Sequence, residues 1–359
     1  MAVTDSIQNV NGAGNPRRML LISVPRTASN LLMKILNIHE QPQFHTSQKG
    51  GYFFYPAFVS TAQSGYLGKP AEQWSQDDKT SVKSAFQGCL DALENESALA
   101  QKDGKAMFAK EHAFWFFNPA ALDKMRTGTG DPEFFKAFHM DISDSYGPSR
   151  SYSAHNETIL PDEYMCSWQF AFIIRHPALA WPSMYRAMKK VADSGFLDED
   201  GVKGSSLTNM TMRWTRMLYE WCLEQPDVPV APPLVDAHDL IHNPEIVYKL
   251  CEQTGLDKSV LQFEWNNNGE PKRSDSWEAP SNANAEEPDI QRQTASIFLS
   301  TLEESKGIVK DKAPATIDID TEAAKWKAEF GEEIAGLIEE RVRDSMPDYE
   351  FLKARRITL

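Results

Sequence analysis

The sequence has no long apolar run and few cysteines. No hydrophobic stretch approaches the ~18 residues that a membrane-spanning helix needs, and the polar start "MAVTDSIQNVNGAGNPRR" lacks the apolar core of a secretory signal. We therefore expect a cytoplasmic protein without a membrane span. The four cysteines lack metal-ligand or redox spacing, which predicts buried free thiols. They are Cys89, Cys166, Cys222 and Cys251.

Positive charge is also scarce in this chain. Its 37 lysines and arginines are outnumbered by 51 aspartates and glutamates, which gives a net charge of −14 at pH 7. Such a surplus of negative charge opposes non-specific binding to nucleic acid or to anionic membranes. An anionic small molecule would therefore need a locally positive pocket.

Two widespread phosphate and metal motifs are missing. The loop Gly-x-x-x-x-Gly-Lys-Ser/Thr does not occur, which disfavours an ordinary ATPase or GTPase. The sequence also lacks an Asp-Asp-x-x-Asp run of the kind that binds magnesium, and no metal is predicted.

The chain does contain apolar strand candidates that alternate with amphipathic helix candidates. This alternation predicts an α/β fold in which helices cover both faces of a parallel sheet. Residues 1–17 are expected to form a flexible leader before a single domain over 18–359, and the polar stretch 264–291 a long loop that covers a site. The expected strands are 19–24, 105–112, 167–175 and 232–240. The first expected helix begins near Thr27, and the others cover 77–97, 177–195, 208–225, 243–256 and about 320–345.

Two strand-to-helix junctions carry groups that suit phosphate. A helix that follows strand 19–24 would point unpaired backbone amides at an anion, and the side chains of the turn add further donors. After strand 167–175, Arg175 precedes Ser183 by eight residues. Because the carboxyl ends of parallel strands share one edge, both junctions could hold one ligand. An N-capped helix and a surface arginine remain the alternative. The residues of the first junction are Arg26, Thr27, Ala28, Ser29 and Asn30.

A third pattern is the pair Lys110 and His112, which lie on a strand candidate with one residue between them. Strand alternation places both side chains on one face of the sheet. His112 is a plausible general base because the ordinary pKa of histidine lies near neutrality. The alternative is a packed structural histidine in an aromatic setting.

Four segments resemble the cytosolic-type sulfotransferase superfamily in order and approximate spacing: "VPRTASNLLMKIL", "FAKEH", "FIIRHPALAWPSMYRAM" and "LVDAHDLIHNPEIVYKLCEQTGL". The resemblance extends over residues 19–256. It implies a P-loop-type parallel sheet with additional helices towards the C-terminus. It also implies transfer of a sulfuryl group from 3′-phosphoadenosine 5′-phosphosulfate (PAPS) to a hydroxyl group.

The resemblance further implies a role for each candidate residue. The turn from Arg26 to Asn30 would bind the 5′-phosphosulfate, and Arg175 with Ser183 would bind the 3′-phosphate. His112 would deprotonate the acceptor hydroxyl while Lys110 and Arg26 stabilise the negative charge that develops during transfer. This scheme requires no metal.

Two residues of the turn differ from the usual family loop. Ala28 stands where glycine is usual, which would penalise a positive φ, and Asn30 stands where a hydroxyl residue is common. Two further interpretations therefore stay open. One is a divergent member that binds a diphosphate ester, for example a prenyl diphosphate, and acts as a metal-independent lyase or cyclase. The other is a non-catalytic nucleotide-binding relative.

Aromatic residues cluster in two short runs, 52–55 and 114–117. Aromatic side chains near the catalytic strand would line an apolar pocket and favour a small apolar metabolite as the acceptor. At least half of these side chains are expected to fill the core instead. The same is expected of Trp168, Trp181, Trp214 and Trp221.

Overall fold

The structure, a computed structural model, describes residues 18–47, 51–195, 202, 204, 208–226, 231–265 and 287–359. The expected leader and positions 266–286 of the expected long loop lie outside these ranges. Within them, no helix is long and apolar enough to cross a membrane. Nor do three or more His, Cys, Asp or Glu side chains of the described residues lie together as metal ligands.

Five parallel strands form one sheet in the order β2-β3-β1-β4-β5. Strands β1, β3 and β4 are almost wholly buried, because helices cover both faces of the sheet and near-continuous apolar runs suit that position. This arrangement confirms the α/β class expected from the sequence. The strands are β1 Arg18–Ser23, β2 Phe44–Thr46, β3 Ala106–His112, β4 Trp168–Ile174 and β5 Leu234–Asp236.

Helices cover both faces of the sheet, as the alternating pattern predicts. On one face, β1 contributes Leu20 and Ile22 to the larger apolar core. On the other face, Met19 and Leu21 pack in a second core. The helices are α1 Ser29–Leu36, α2 Tyr55–Gln63, α3 Gln76–Lys102, α4 Pro119–Thr127, α5 Pro132–Lys136, α6 Asp162–Met165, α7 Pro177–Asp193, α8 Arg213–Glu224, α9 Ala237–His242, α10 Ile246–Thr254, α11 Glu287–Glu304, α12 Ile319–Phe330 and α13 Glu332–Lys353.

Several expected boundaries are wrong for identifiable reasons. The expected strand 232–240 ends at Asp236, because this side chain accepts the backbone N–H of His238 and caps helix α9. Helix α11 occupies the last positions of the expected loop 264–291. Cys166, the residue after α6, is exposed rather than buried as expected, whereas the other three cysteines are buried free thiols.

The four tryptophans assigned to the core are all buried, which confirms that expectation. Trp181 and Trp214 belong to helices α7 and α8, which flank the larger core. Helices α7 and α8 therefore pack on the face of the sheet opposite to α1, whose buried apolar residues lie in the second core. The turn between β1 and α1 lies at the carboxyl edge of the sheet.

Candidate active site

A cleft of about 3080 Å³ opens where β1, β3 and β4 end. Strand β1 lies between β3 and β4, so the segments that follow all three strands meet at one place. Seven of the candidate residues line this cleft, whereas Thr27 and Lys110 are buried and do not line it. The lining candidates are Arg26, Ala28, Ser29, Asn30, His112, Arg175 and Ser183.

The turn between β1 and α1 has an unusual backbone. Arg26 and Ala28 both adopt positive φ, 71° and 65°, a region that disfavours residues with a side chain. The helix therefore begins at Ser29 and not near Thr27 as expected. Thr27 is buried, and its hydroxyl donates to the carbonyl of Val24 at 2.7 Å. Among the residues that the structure describes, no side chain caps the helix, so its first amides can bind an anion.

The two candidate arginines contact each other's segments directly. Arg26 donates from Nε to Ser183 Oγ at 3.0 Å and from Nη1 to the carbonyl of Phe298 at 2.7 Å. Arg175 donates from Nη1 to the carbonyl of Arg26 at 3.0 Å and from Nη2 to that of Lys312 at 2.7 Å. The two junctions therefore form one site, and the C-terminal third of the chain supplies part of its wall.

Every one of these hydrogen-bond partners is neutral. In the part of the chain that the structure describes, neither Arg26 nor Arg175 forms an ion pair with a carboxylate, and Arg175 Nε is buried without a hydrogen-bond partner. Burial lowers the pKa of both guanidinium groups, and the neighbouring Arg26 helps to lower that of Arg175 to about 10. Two adjacent half-buried guanidinium groups, neither ion-paired within the described residues, form an environment that an anion would stabilise, although nearby Asp236 raises the pKa of Arg175.

Lys110 and His112 lie on one face of β3, as strand alternation predicts. Lys110 is fully buried, and its Nζ donates to Asn30 Oδ1 at 2.5 Å. The same ammonium lies 4.2 Å from the centre of the Tyr52 ring. Asn30, which differs from the usual family loop, therefore joins the lysine of β3 to the first turn of α1.

Both ring nitrogens of His112 have partners. Nδ1 lies 2.8 Å from Ser23 Oγ, and Nε2 lies 3.0 Å from the hydroxyl of Tyr52. Burial, together with the charge of Lys110, lowers the pKa of His112 well below its ordinary value, although a hydrogen bond to Ser23 opposes this fall. The imidazole is therefore neutral at pH 7, as a general base must be.

Three residues around His112 were missed by sequence reasoning. Ser23 lies directly opposite His112 in the register of β1 and β3, which a correct strand pairing would have shown. Tyr52 was recognised only as one of eight clustered aromatic residues. Glu111 points to the opposite face of β3, where its carboxylate accepts the N–H groups of Phe53 and Phe54. Burial raises its pKa to about 8.

Aromatic side chains form one wall of the cleft beside His112. The Trp115 ring lies 4.4 Å from that of His112 and 4.7 Å from that of Tyr55, and it stacks on Phe58 at 5.6 Å. Of the two aromatic runs, Tyr52, Phe53, Tyr55 and Trp115 line the cleft, and the other four residues do not. Because these other four are buried in the larger core, the expectation that at least half fill the core is confirmed.

Comparisons with solved structures give two weak matches. The "Sulfotransferase Domain from the Curacin Biosynthetic Pathway" has a TM-score of 0.35 and 11% identity, covering 89% of this chain and 99% of that one. The "Sulfotransferase Domain from the Synechococcus PCC 7002 Olefin Synthase" has a TM-score of 0.34 and 12% identity, covering 89% and 96%. No protein-family model matches the chain. At these TM-scores the family assignment rests on sequence relatives alone.

Two curated relatives match over nearly their whole length. "Sulfotransferase ppzF" of Metarhizium rileyi (strain RCEF 4871) is 35% identical over 353 residues, which cover 96% of this chain and 97% of that protein. "Sulfotransferase ppzF" of Metarhizium majus (strain ARSEF 297) is also 35% identical, over 358 residues that cover 96% and 98%. At this identity and coverage, the chain belongs to the sulfotransferase family.

Proposed function

We propose that this enzyme transfers a sulfuryl group from PAPS to a hydroxyl group of a small apolar metabolite, with His112 as the general base. One observation carries the proposal: two half-buried arginines, neither ion-paired with a carboxylate of the described residues, and a neutral buried histidine line the same cleft. The arginines suit an anionic donor, and the histidine suits an acceptor that must lose a proton.

The donor side of this proposal uses the two strand-to-helix junctions. Arg175 and Ser183 would hold the 3′-phosphate, and Arg175 has a buried Nε–H to offer in addition to its present bonds. The first amides of α1, together with Ser29 and Asn30, would hold the 5′-phosphosulfate. Thr27 would contribute through the backbone shape of the turn, since its hydroxyl is engaged with Val24. No metal takes part in this scheme.

The acceptor side uses β3 and the aromatic wall. An acceptor oxygen beside His112 would attack sulfur in line while the imidazole takes up its proton. Lys110 and Arg26 would stabilise the negative charge that builds up on the transferring group and on the departing phosphate. The ring of Trp115 next to His112 favours an apolar acceptor over a polyanionic glycan, as does the acidity of the whole chain.

Thermal unfolding in the presence of candidate ligands tests the donor. Adenosine 3′,5′-bisphosphate is expected to raise the melting temperature in a concentration-dependent way, because a ligand that binds only the native state stabilises it by mass action. Inorganic diphosphate and prenyl diphosphates serve as matched anions. Stabilisation by the diphosphates without stabilisation by the nucleotide would overturn the assignment of PAPS and would favour a diphosphate ester as substrate.

A further inference from the structure

One tautomer of neutral His112 satisfies all the contacts around the ring. The Ser23 hydroxyl lies 3.3 Å from the carbonyl of Glu111, which can only accept, and 2.8 Å from Nδ1 of His112. With the proton on Nδ1, Ser23 accepts from His112 and donates to Glu111. The lone pair is then on Nε2, 3.0 Å from the hydroxyl of Tyr52, which can donate to it.

Strand β3 also fixes the backbone on either side of Tyr52. The N–H of Lys110 donates to the carbonyl of Gly51 at 3.0 Å. Gly51 has a φ of +88°, and a Cβ there would lie only 3.0 Å from the backbone nitrogen of Lys110, so any larger residue would be both strained and crowded. On the far side, Glu111 accepts the N–H groups of Phe53 and Phe54.

The phenol of Tyr52 and the imidazole of His112 line the same cleft. The Tyr52 hydroxyl, 3.0 Å from Nε2 of His112, occupies the contact through which an acceptor would otherwise reach this nitrogen. The ammonium of Lys110 lies 4.2 Å from the centre of the phenol ring, a cation–π contact that helps to hold the ring in place. Tyr52 also packs on Trp115, with 4.9 Å between ring centres.

We propose that Tyr52 is a catalytic residue that relays the proton of the acceptor to His112, an inference that rests on the proposed sulfuryl transfer. The acceptor oxygen forms a bond to sulfur while the bond from sulfur to the bridging phosphate oxygen breaks, and its electron pair leaves with the nucleotide. The acceptor proton passes to Tyr52 Oη. In the same step the phenol proton passes to Nε2 of His112, so that Tyr52 ends the step neutral.

The variant Tyr52→Phe removes the relay and keeps the ring. We expect kcat for sulfuryl transfer to an aliphatic alcohol to fall about 30- to 100-fold, within the range for lost general acid–base catalysis. The KM values and the thermal shift with adenosine 3′,5′-bisphosphate should stay unchanged. The loss should be much smaller with 4-nitrophenol at pH 9, where this acidic phenol is almost wholly ionised and needs no base. Unchanged or increased kcat with the alcohol would show that Tyr52 merely covers His112.

A proton inventory separates a relay from a merely structural role. In mixtures of H₂O and D₂O, two protons in flight give the wild-type enzyme a curved dependence of rate on deuterium content, and Tyr52→Phe should make it linear. Tyr66→Phe is the matched control, because that phenol bonds to Asp78 and does not line the cleft. A linear inventory in the wild-type enzyme would overturn the relay and leave Tyr52 as a positioning residue.

Nitrogen-15 spectra of labelled histidine give a readout that does not depend on turnover. The wild-type enzyme should show His112 as the neutral tautomer with the proton on Nδ1, and the opposite tautomer would overturn the relay. If the tautomer is as expected but the wild-type enzyme transfers no sulfuryl group to phenols or alcohols, the proposed function itself fails and the relay fails with it. A negative result thus identifies which of the two proposals is wrong.

Discussion

Nη1 of Arg175 donates to the backbone carbonyl of Arg26 at 3.0 Å, although 149 positions separate the two residues along the chain. The contact joins the segment after β4 to the turn after β1. In that turn Arg26 adopts a φ of 71°, a left-handed conformation. The side chain of Arg175 thereby binds the backbone of the turn, and its buried Nε–H remains available to an anion.

Replacing Arg175 should weaken donor binding. Arg175→Ala removes charged hydrogen bonds worth about 1.5–3 kcal/mol, which corresponds to a loss of roughly 10- to 150-fold in affinity for adenosine 3′,5′-bisphosphate. Arg175→Lys should recover only part of the affinity, since an ammonium cannot fork onto two phosphate oxygens. Isothermal titration calorimetry measures both. Arg343→Ala, at a half-exposed arginine that pairs with Asp320 outside the cleft, is the control. If Arg175→Ala bound adenosine 3′,5′-bisphosphate as tightly as the wild-type enzyme, Arg175 would not be part of the donor site.

Replacing His112 should abolish turnover and spare donor binding. His112→Ala removes the proposed general base, so transfer of labelled sulfate from PAPS to simple phenols and alcohols should fall about 10²- to 10⁴-fold. Calorimetry with adenosine 3′,5′-bisphosphate should give the wild-type affinity. The exposed His39→Ala variant controls for the loss of an imidazole elsewhere. Wild-type turnover in His112→Ala would exclude His112 from the mechanism.

Glu111 should make stability depend on pH. Burial raises its pKa from 4.5 to about 8, so between these values the native carboxyl keeps a proton that the unfolded chain has lost. Stability of the wild-type protein is then lost as the pH rises through this window. Glu111→Gln cannot titrate and still offers an oxygen to the N–H groups of Phe53 and Phe54. Its advantage in the free energy of unfolding should therefore grow from pH 5 to pH 8.

Urea unfolding at pH 5, 6, 7 and 8 measures this difference. Glu72→Gln, at an exposed carboxylate, is the matched control and should follow the wild-type curve. A difference between Glu111→Gln and the wild type that stays constant over the four pH values would mean that Glu111 titrates normally.

Ala28→Gly should stabilise the protein. Ala28 has a φ of 65°, where a Cβ costs roughly 1–2 kcal/mol and glycine costs little. Part of the gain is offset by the larger freedom of glycine in the unfolded chain, which leaves a gain of about 0.5–1 kcal/mol in the free energy of unfolding. Ala98→Gly, at an exposed position inside α3, should instead lose about 1 kcal/mol. Losses in both variants would contradict the left-handed conformation of Ala28.

Much of this architecture follows from local pattern. The runs that became β1, β3 and β4 are apolar because both faces are covered, and such runs are visible in the sequence. The pairing of Lys110 with His112 follows from strand alternation alone. The approach of Arg175 to the turn at Arg26 follows from the shared edge of parallel strands.

Other features depend on contacts that no local pattern reports. The carbonyls of Phe298 and Lys312 bind the two arginines from segments more than one hundred positions away. The sequence pattern predicts too early a start for α1, because positive φ at Arg26 and Ala28 is unusual outside glycine. Tyr52 could not be assigned to His112, because its position depends on bonds from Lys110 and Glu111 to its neighbours.

The alternation of β3 restricts how this gene can diverge. Lys110 and His112 face the turn between β1 and α1, and Glu111 faces the opposite side, where it bonds to the backbone of Phe53 and Phe54. A substitution at one of these positions leaves the directions of the other two unchanged. An insertion or deletion of one codon before Lys110 in the strand would instead exchange the two faces, turning His112 away from the cleft and Glu111 towards it. We therefore expect changes of length in β3 to be far more damaging than substitutions.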